Sequence, residues 1–274
     1  MIIHESTGEL VAALGTAAGI LDRVLCGVDE TPESLEAVRQ AARLRAPDGS
    51  LDIVAAVDLG GAAQADWAAT AVAADLEAEA KHAIEAARLE VPEATHRLLE
   101  GRPSAVLLSE AGRTQATLIA LGSHGHRRSL GIALGSVTAT VVHDAPCSVL
   151  VARSPLVQGG FPDSIVVGID GSPESAVAAA FAFELGRRFG VGVRPVAASS
   201  GKTVDLEAVH AIAPEAVVRD RPPVEALVTA STDVDLLVVG NRGLHGLRAL
   251  GSVSERVVHQ ARCSVLVART PADP

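Results

Sequence analysis

The chain repeats itself, and this repetition constrains its fold more than any other feature. The run RVLCGVDETPES at residue 23 returns as SIVVGIDGSPES at 164, and ATLIALGSHG at 116 returns as VDLLVVGNRG at 234. Both halves close on nearly the same run, APCSVLVAR and ARCSVLVAR. Landmarks that recur in one order indicate a tandem duplication. We therefore expect two domains built on one plan.

The Pro- and Gly-rich stretch SPLVQGGFPD (154–163) separates the two copies, because such stretches interrupt helices and strands. We assign residues 1–20 to an N-terminal extension, 21–155 to the first copy and 162–270 to the second copy. The extension lacks the basic and apolar regions of a signal peptide. We expect it to form a short helix against the second copy, with a flexible leader as the alternative.

Short β-branched runs alternate with helical patterns, which is typical of a parallel sheet with helices on both faces. Hydrophobic residues make up 48% of the chain but aromatic residues only 2%, so the core must be aliphatic. We predict an α/β fold with two tandem open parallel five-stranded sheets, Rossmann-like, the second domain being abbreviated. In the first copy the strands are expected at Arg23–Val28, Leu51–Val57, Thr95–Leu99, Thr117–Leu121 and Cys147–Ala152.

Helix starts can be read from the same repeat. Thr31 followed by Pro32 is typical of a capped helix start, and Ser172 followed by Pro173 repeats it. Residues 65–90 form a strong helical pattern in the first copy, whereas VDLEAVHAIAP in the second can supply only two or three turns. One face of the second sheet should therefore be less well covered.

The composition argues against several classes of function. A net charge of −10 disfavours binding to nucleic acid, and no apolar run is long enough to cross a membrane. Cys26, Cys147 and Cys263 lie in apolar runs without metal-ligand spacing, so we expect buried thiols rather than disulfides or zinc ligands. We expect a cytoplasmic protein.

No enzyme motif supplies a catalytic residue. The chain has no G-x-S-x-G, HExxH or CxxC motif, and neither Lys81 nor Lys202 follows a P-loop. We therefore predict no catalytic residue and no resident metal site.

A glycine-rich loop follows the fourth strand of the first copy. Gly122 ends a buried strand, Gly125 follows three residues later, and Gly135-Ser136 opens a helical segment. Glycines allow positive φ and close backbone approach, and the first amides of a helix have no intrahelical partner. A glycine-rich loop that leads into a helix start is a site for phosphate. The sequence therefore predicts a phosphate-binding loop at 122–136.

The spacing G-x2-G-x9-G-S resembles that of the universal stress protein family, whose members that carry this pattern bind ATP. The resemblance includes the GVD and S-P-E-S openings and the APCSVLVAR close, and it covers both copies. It implies an adenine nucleotide α-hydrolase-like fold and a stress-response regulator. ATP is the expected ligand, with ADP and AMP as alternatives, and Mg²⁺ can accompany the phosphates, held mainly by phosphate oxygens.

The resemblance also implies roles for single residues of the first copy. Asp29 would contact the adenine, with Gly27 allowing close approach, and Val57 would flank the base. The residues expected around the phosphates are Gly122, Ser123, His124, Gly125, His126, Gly135, Ser136 and Val137.

Other interpretations of these residues remain open. Asp29 is also a common turn or helix-cap residue. His124 and His126 can equally be a solvated pair, whereas metal binding by the two is disfavoured because no carboxylate or cysteine completes a ligand set.

The second copy departs from the pattern. Its matching residues are Gly168, Asp170, Gly240, Gly243, Gly251 and Ser252. Seven residues rather than nine separate Gly243 from Gly251. We predict that this shorter loop leaves the second copy with a weak or empty site.

The repeated closing strand suggests how the copies associate. An exposed apolar edge strand favours aggregation, and pairing two such strands hides their backbone groups. The resemblance implies that the copies pair through these strands and that the chain forms homo-oligomers such as dimers. Two independent domains on a linker are the alternative. His143 and His259 are expected near helix C-termini rather than in catalysis.

Three functions remain compatible with the sequence. The leading one is an ATP-binding stress-response regulator. A weak ATPase and a nucleotide-free interaction scaffold are the alternatives.

Overall fold

The computed structural model describes residue 19 and residues 21–60, 66–124, 134–156, 160–199, 205–241 and 253–269, with side chains from residue 71 onward in the helix that begins at 66. Residues 20–153 cluster as one compact unit, and the chain from Ser154 onward belongs to another. The predicted N-terminal extension lies outside the described residues, apart from Gly19.

The first copy is a parallel five-stranded sheet with the strand order β3-β2-β1-β4-β5. Its strands are β1 (Arg23–Gly27), β2 (Ser50–Val57), β3 (Thr95–Glu100), β4 (Leu118–Gly122) and β5 (Ser148–Ala152). The helices between them are α1 (Pro32–Leu44), α2 (Asp66–Glu90), α3 (Pro103–Thr114) and α4 (Ser136–Asp144).

The second copy repeats the plan with the strand order β10-β9-β6-β7-β8, again parallel. Its strands are β6 (Ile165–Gly168), β7 (Val193–Ala198), β8 (Val217–Arg219), β9 (Leu236–Gly240) and β10 (Ser264–Ala268). Its helices are α5 (Pro173–Phe189), α6 (Leu206–Ile212), α7 (Pro223–Ala230) and α8 (Val253–Gln260). The predicted fold class is confirmed.

Helix starts follow the predicted caps. The Thr31 hydroxyl accepts a hydrogen bond from the Ser34 amide at 3.2 Å, and the Ser172 hydroxyl accepts one from the Ser175 amide at 3.2 Å. Each cap satisfies a first-turn amide that has no partner inside its helix. Both predicted helix starts are therefore confirmed.

The two copies differ most in their second helix, as the sequence predicted. α2 has 25 residues, whereas α6 has seven. In the described part of the chain, no helix is long and apolar enough to cross a bilayer.

The cores are aliphatic. Every residue of β4, β5 and β10 is buried, which fits parallel strands covered on both faces. All three cysteines are buried, as predicted, and burial raises the pKa of the Cys26 thiol. His143 and His259 lie in the last turns of α4 and α8, also as predicted.

Strand order fixes where a ligand site can form. β1 lies between β2 and β4, and the winding of the sheet reverses between β1 and β4. Ligands of open α/β sheets bind outside the carboxyl ends of the strands at such a switch point. The same position in the second copy lies between β6 and β9.

Candidate functional site

The parallel register brings most of the predicted residues of the first copy to one edge of its sheet. Gly27, Val57 and Gly122 end β1, β2 and β4, respectively. Asp29 follows β1, and Ser123 and His124 follow β4. The start of α4 joins them through a hydrogen bond from the Gly135 amide to the Ser123 carbonyl at 3.0 Å. Gly125 and His126 lie outside the described residues.

Asp29 organises the turn between β1 and α1. Its carboxylate accepts hydrogen bonds from the Thr31 amide at 3.0 Å and from the Thr31 hydroxyl. The Ser34 hydroxyl closes the turn at 2.6 Å from the Asp29 carbonyl oxygen. The turn role that the sequence left open is therefore present, and contact of Asp29 with adenine stays a prediction.

Gly122 is required by packing rather than by an unusual backbone angle. A Cβ at this position would lie 2.8 Å from the Glu33 carbonyl carbon and 2.9 Å from the Ser34 amide nitrogen. Gly122 does not have positive φ, and Gly135 has a φ of −60°. The freedom to adopt positive φ, which the sequence suggested for these glycines, is thus not used at either position.

Gly27 also has a packing reason to be glycine. A Cβ there would lie 2.5 Å from Leu121 Cδ2 and 2.9 Å from Leu107 Cδ1. Both leucines are buried, so the absence of a side chain lets α3 and β4 pack against the end of β1.

Ser123 and His124 begin the glycine-rich loop. Ser123 is 2% exposed, its amide donates to the Ala152 carbonyl at 3.1 Å, and its hydroxyl lies 3.0 Å from His124 Nδ1. The Thr31 hydroxyl lies 3.5 Å from the His124 carbonyl oxygen. These contacts hold Ser123 and His124 beside the turn that Asp29 organises.

The start of α4 has no side-chain cap. Gly135 is its N-cap, and no side chain caps the helix there, whereas Thr31 caps α1. Ser136 is exposed and Val137 is partly exposed. The first-turn amides carry the positive end of the helix dipole, so this helix start favours an anion.

Thr138 anchors this helix start, and no sequence motif had pointed to it. Its hydroxyl donates to the Gly122 carbonyl at 2.8 Å. Ser254 makes the same bond to the Gly240 carbonyl at 2.6 Å in the second copy. The signal was available, because GSVT and GSVS place a hydroxyl at the same position of both copies.

The ends of β1 and β2 form another part of this sheet edge. Val57 is buried, and its carbonyl accepts a hydrogen bond from the Gly101 amide at 2.9 Å. Nearby, Glu30 Oε1 lies 3.0 Å from His82 Nδ1, which ties the turn after β1 to α2. No sequence pattern predicted the contact between Glu30 and His82.

The second copy keeps the same framework. Asp170 accepts a hydrogen bond from the Ser172 amide at 3.1 Å, as Asp29 does from Thr31. Gly168 ends β6, where a Cβ would lie 3.1 Å from Leu227 Cδ2. A Cβ on Gly240 would lie 2.6 Å from the Glu174 carbonyl carbon. The predicted Gly243, Gly251 and Ser252 lie outside the described residues.

Metal ligands do not gather at either site. Across the described parts of the chain, no group of three or more His, Cys, Asp or Glu side chains is placed to hold a metal ion.

Comparison with known proteins identifies the family. A model of the universal stress protein family matches residues 21–153 and 198–269. The universal stress protein Rv2005c of Mycobacterium tuberculosis is 36% identical over 187 residues, and Rv1996 of the same species is 32% identical over 194 residues. These alignments cover 57% and 58% of this chain. They cover 62% and 61% of the relatives' own length, which is less than two thirds in each case.

Solved structures agree on the fold. A universal stress protein from Archaeoglobus fulgidus superposes with a TM-score of 0.69 at 19% identity, covering 92% of this chain and 97% of its own. The two family matches, together with the repeated parallel sheets, lead to one conclusion: the chain belongs to the universal stress protein family and carries the family's domain in tandem.

Proposed function

We propose that the first copy binds ATP and that the chain acts as a stress-response regulator through this binding. The observation that supports the proposal most is the start of α4. It has no side-chain cap, it exposes Ser136, and it is held against the end of β4 by the Gly135–Ser123 and Thr138–Gly122 hydrogen bonds.

Such a helix start suits phosphate for two reasons. Its amides have no partner inside the helix, and their dipoles sum to a partial positive charge. A polyphosphate can satisfy these donors, with the Ser136 hydroxyl as one more. The predicted loop residues Gly125 and His126 complete this part of the proposal.

The base would lie at the ends of β1 and β2, beside Asp29 and Val57. The Asp29 carboxylate is fixed in direction by its bonds to Thr31. ADP and AMP share this adenine end, so they should bind more weakly through fewer phosphate contacts. The second copy, with its shorter loop, should bind weakly or not at all.

The regulatory part of the proposal rests on family membership. A cytoplasmic protein whose copies pair through their final strands, and whose chains form dimers, would let bound nucleotide alter partner contacts. We expect any ATP hydrolysis to be slow, because the sequence carries no recognised catalytic motif.

A charge reversal at the helix start tests the binding site. Ser136→Glu should stabilise the start of α4 slightly, because acidic residues favour helix N-termini, but it should repel phosphate. Ligand at a hundredfold over its Kd stabilises the native state by about 2.7 kcal/mol, which a melting experiment detects. Ser252→Glu in the second copy is the matched control.

We expect ATP to raise the melting temperature of the wild type and of Ser252→Glu, and to leave Ser136→Glu unchanged. Mass spectrometry of the protein, purified without nucleotide and then denatured, should identify a bound adenine compound. No thermal shift and no released nucleotide would instead favour the interaction scaffold. Turnover above background that Ser136→Glu removes would favour the weak ATPase.

A further inference from the structure

The second helix of the first copy is longer than the sheet that it covers. α2 ends shortly before β3 starts, so its last turn lies at the amino edge of the parallel sheet. The contact between His82 and Glu30 joins α2 to the turn after β1, which lies at the opposite, carboxyl edge. Residues 66–79, a segment roughly 20 Å long, therefore extend beyond the carboxyl edge, and we call them the projecting segment.

The burial of α2 changes at the same level of the helix. Ala80, Ala83, Ile84 and Ala87 are buried, which places this face of α2 against the sheet. Among the side chains that the structure describes between residues 71 and 79, none is buried. The helix thus has a part that covers the sheet and a part that rises past it.

Helical periodicity fixes the direction in which the projecting segment presents its side chains. Ala73 and Leu76 precede the buried Ala80 and Ala83 at alternating steps of four and three residues, so all four lie on one face of α2. Ala73 and Leu76 are partly exposed, whereas Ala74, on another face, is fully exposed. Because this face turns toward the sheet lower down the helix, Leu76 faces the space outside the carboxyl ends of the strands.

Open α/β sheets bind their ligands in that space. α2 packs on β2 and β3, and β2 ends at Val57, the residue predicted to flank the adenine. Alanine and leucine side chains cannot satisfy phosphate oxygens, but they can pack on an apolar ring. The projecting segment is therefore suited to the base rather than to the phosphates.

The second copy has no counterpart of this segment. Its α6 has only seven residues, and Gly171 takes the place of Glu30 in the turn after the first strand. The helix overhang and its contact with the turn thus occur in the copy that is predicted to bind nucleotide strongly.

We propose that the projecting segment of α2 is a wall of the nucleotide site and that Leu76 packs against the adenine base. This inference rests on the proposed binding of ATP to the first copy. Glu30 and His82 are positioning residues, which hold the wall beside the turn that contains Asp29. The wall supplies apolar contact and leaves the hydrogen-bonding groups of the base to the strand ends.

Calorimetric titration of the nucleotide-free full chain with ATP tests the wall. Leu76→Ala should weaken ATP binding about fivefold, because only part of this leucine is exposed and available for burial by the base. The stability of the nucleotide-free variant, measured by urea denaturation, should stay close to that of the wild type.

Two neighbouring alanines provide a matched pair of variants. Ala73→Glu and Ala74→Glu both place a carboxylate on the same turn of α2, and glutamate is a good helix former. Only Ala73→Glu places it on the face that turns toward the site, so this variant should weaken ATP binding about tenfold or more. Ala74→Glu should stay within about twofold of the wild type.

The positioning residues should have a smaller effect. His82→Ala and Glu30→Ala should each weaken ATP binding about twofold, because an exposed pair restrains the helix only weakly. Glu30→Gln keeps a hydrogen-bonding partner for His82 and should retain the wild-type affinity. Equal losses in Glu30→Ala and Glu30→Gln would contradict the positioning role.

Separate outcomes distinguish this inference from the proposed function. Strong ATP binding that neither Leu76→Ala nor Ala73→Glu weakens would overturn the wall and leave the nucleotide site of the first copy intact. Equal weakening by Ala73→Glu and Ala74→Glu would also overturn it. An altered oligomeric state in Leu76→Ala, with unchanged ATP affinity, would assign this face to a second copy of the chain instead. No ATP binding by the wild type would overturn both proposals.

Discussion

The turns after the first strand of each copy are built alike, although only one is predicted to bind nucleotide strongly. Asp29 and Asp170 each accept a hydrogen bond from the amide two residues later. Gly122 and Gly240 leave room for the backbone at the starts of α1 and α5, respectively. This framework is therefore a requirement of the fold, and its presence alone does not identify a nucleotide site.

The copies differ in what packs against this turn. In the first copy, Glu30 reaches His82 on the long α2. In the second copy, Gly171 takes the place of Glu30, with a φ of +81°, and a Cβ there would lie 2.9 Å from Ala208 Cβ on the short α6. The shorter helix thus packs directly against the turn.

Replacing the strand-end glycines should have the largest effect. Gly122→Ala and Gly240→Ala each place a Cβ against helix backbone, which cannot move as a side chain can. We expect each to lower the free energy of unfolding by about 3 kcal/mol, measured by urea denaturation without nucleotide. A neutral Gly240→Ala would show that the second copy does not share the packing of the first.

Gly171 should be the next most sensitive position. Gly171→Ala forces a Cβ into the left-handed region and toward Ala208, so we expect a loss of about 2 kcal/mol. The matched change Glu30→Ala removes only an exposed contact with His82 and should cost far less. Equal losses at the two positions would contradict the tighter packing of the second copy.

Removing the hydroxyl that anchors the last helix should have a smaller effect on stability. Thr138→Val and Ser254→Ala each delete one hydrogen bond to a strand-end carbonyl, which is worth about 1 kcal/mol. Only Thr138→Val should also weaken ATP binding, because α4 carries the proposed phosphate site. Calorimetric titration of both variants checks this difference, and equal ATP affinities would weigh against a role for α4.

The smallest expected effect depends on pH. Hydrogen bonds from Arg113 hold the pKa of Glu110 below its usual range. Arg97 acts in the same direction, with its Nη2 atom 2.6 Å from Glu110 Oε2. Ionised Glu110 therefore adds to the free energy of unfolding at pH values above its unfolded-state pKa of about 4.3. This contribution is lost as the pH falls through the lower pKa of Glu110 in the folded protein.

Glu110→Gln tests this contribution. The variant should be less stable than the wild type by about 0.5 kcal/mol at neutral pH, and the gap should close below about pH 4. Asp233, paired with Arg194 in the second copy, is more exposed, so Asp233→Asn should change stability less. Chemical denaturation at several pH values measures both, and a stability gap that widens in acid would contradict the lowered pKa of Glu110.

Much of the fold could be predicted from the sequence because its signals are local. Thr31 with Pro32, and the alternating apolar runs, specify helix starts and strands through short-range physics. The seven-residue α6 was also foreseeable from the shortened second copy. The packing requirement for glycine at position 122 could not be predicted, because it depends on contact with Glu33, which is distant in the chain.

The site was predictable only in part for the same reason. Spacing of glycines and serines predicted the α4 start, whereas the Thr138 and Glu30–His82 contacts depend on how helices lie on the sheet.

The stoichiometry of ATP binding tests the difference between the copies most directly. Isothermal titration of the nucleotide-free full chain should give one strong site per chain, which Ser136→Glu removes and Ser252→Glu preserves. Two equal sites, or a single site that is lost in Ser252→Glu and kept in Ser136→Glu, would contradict the assignment of ATP to the first copy.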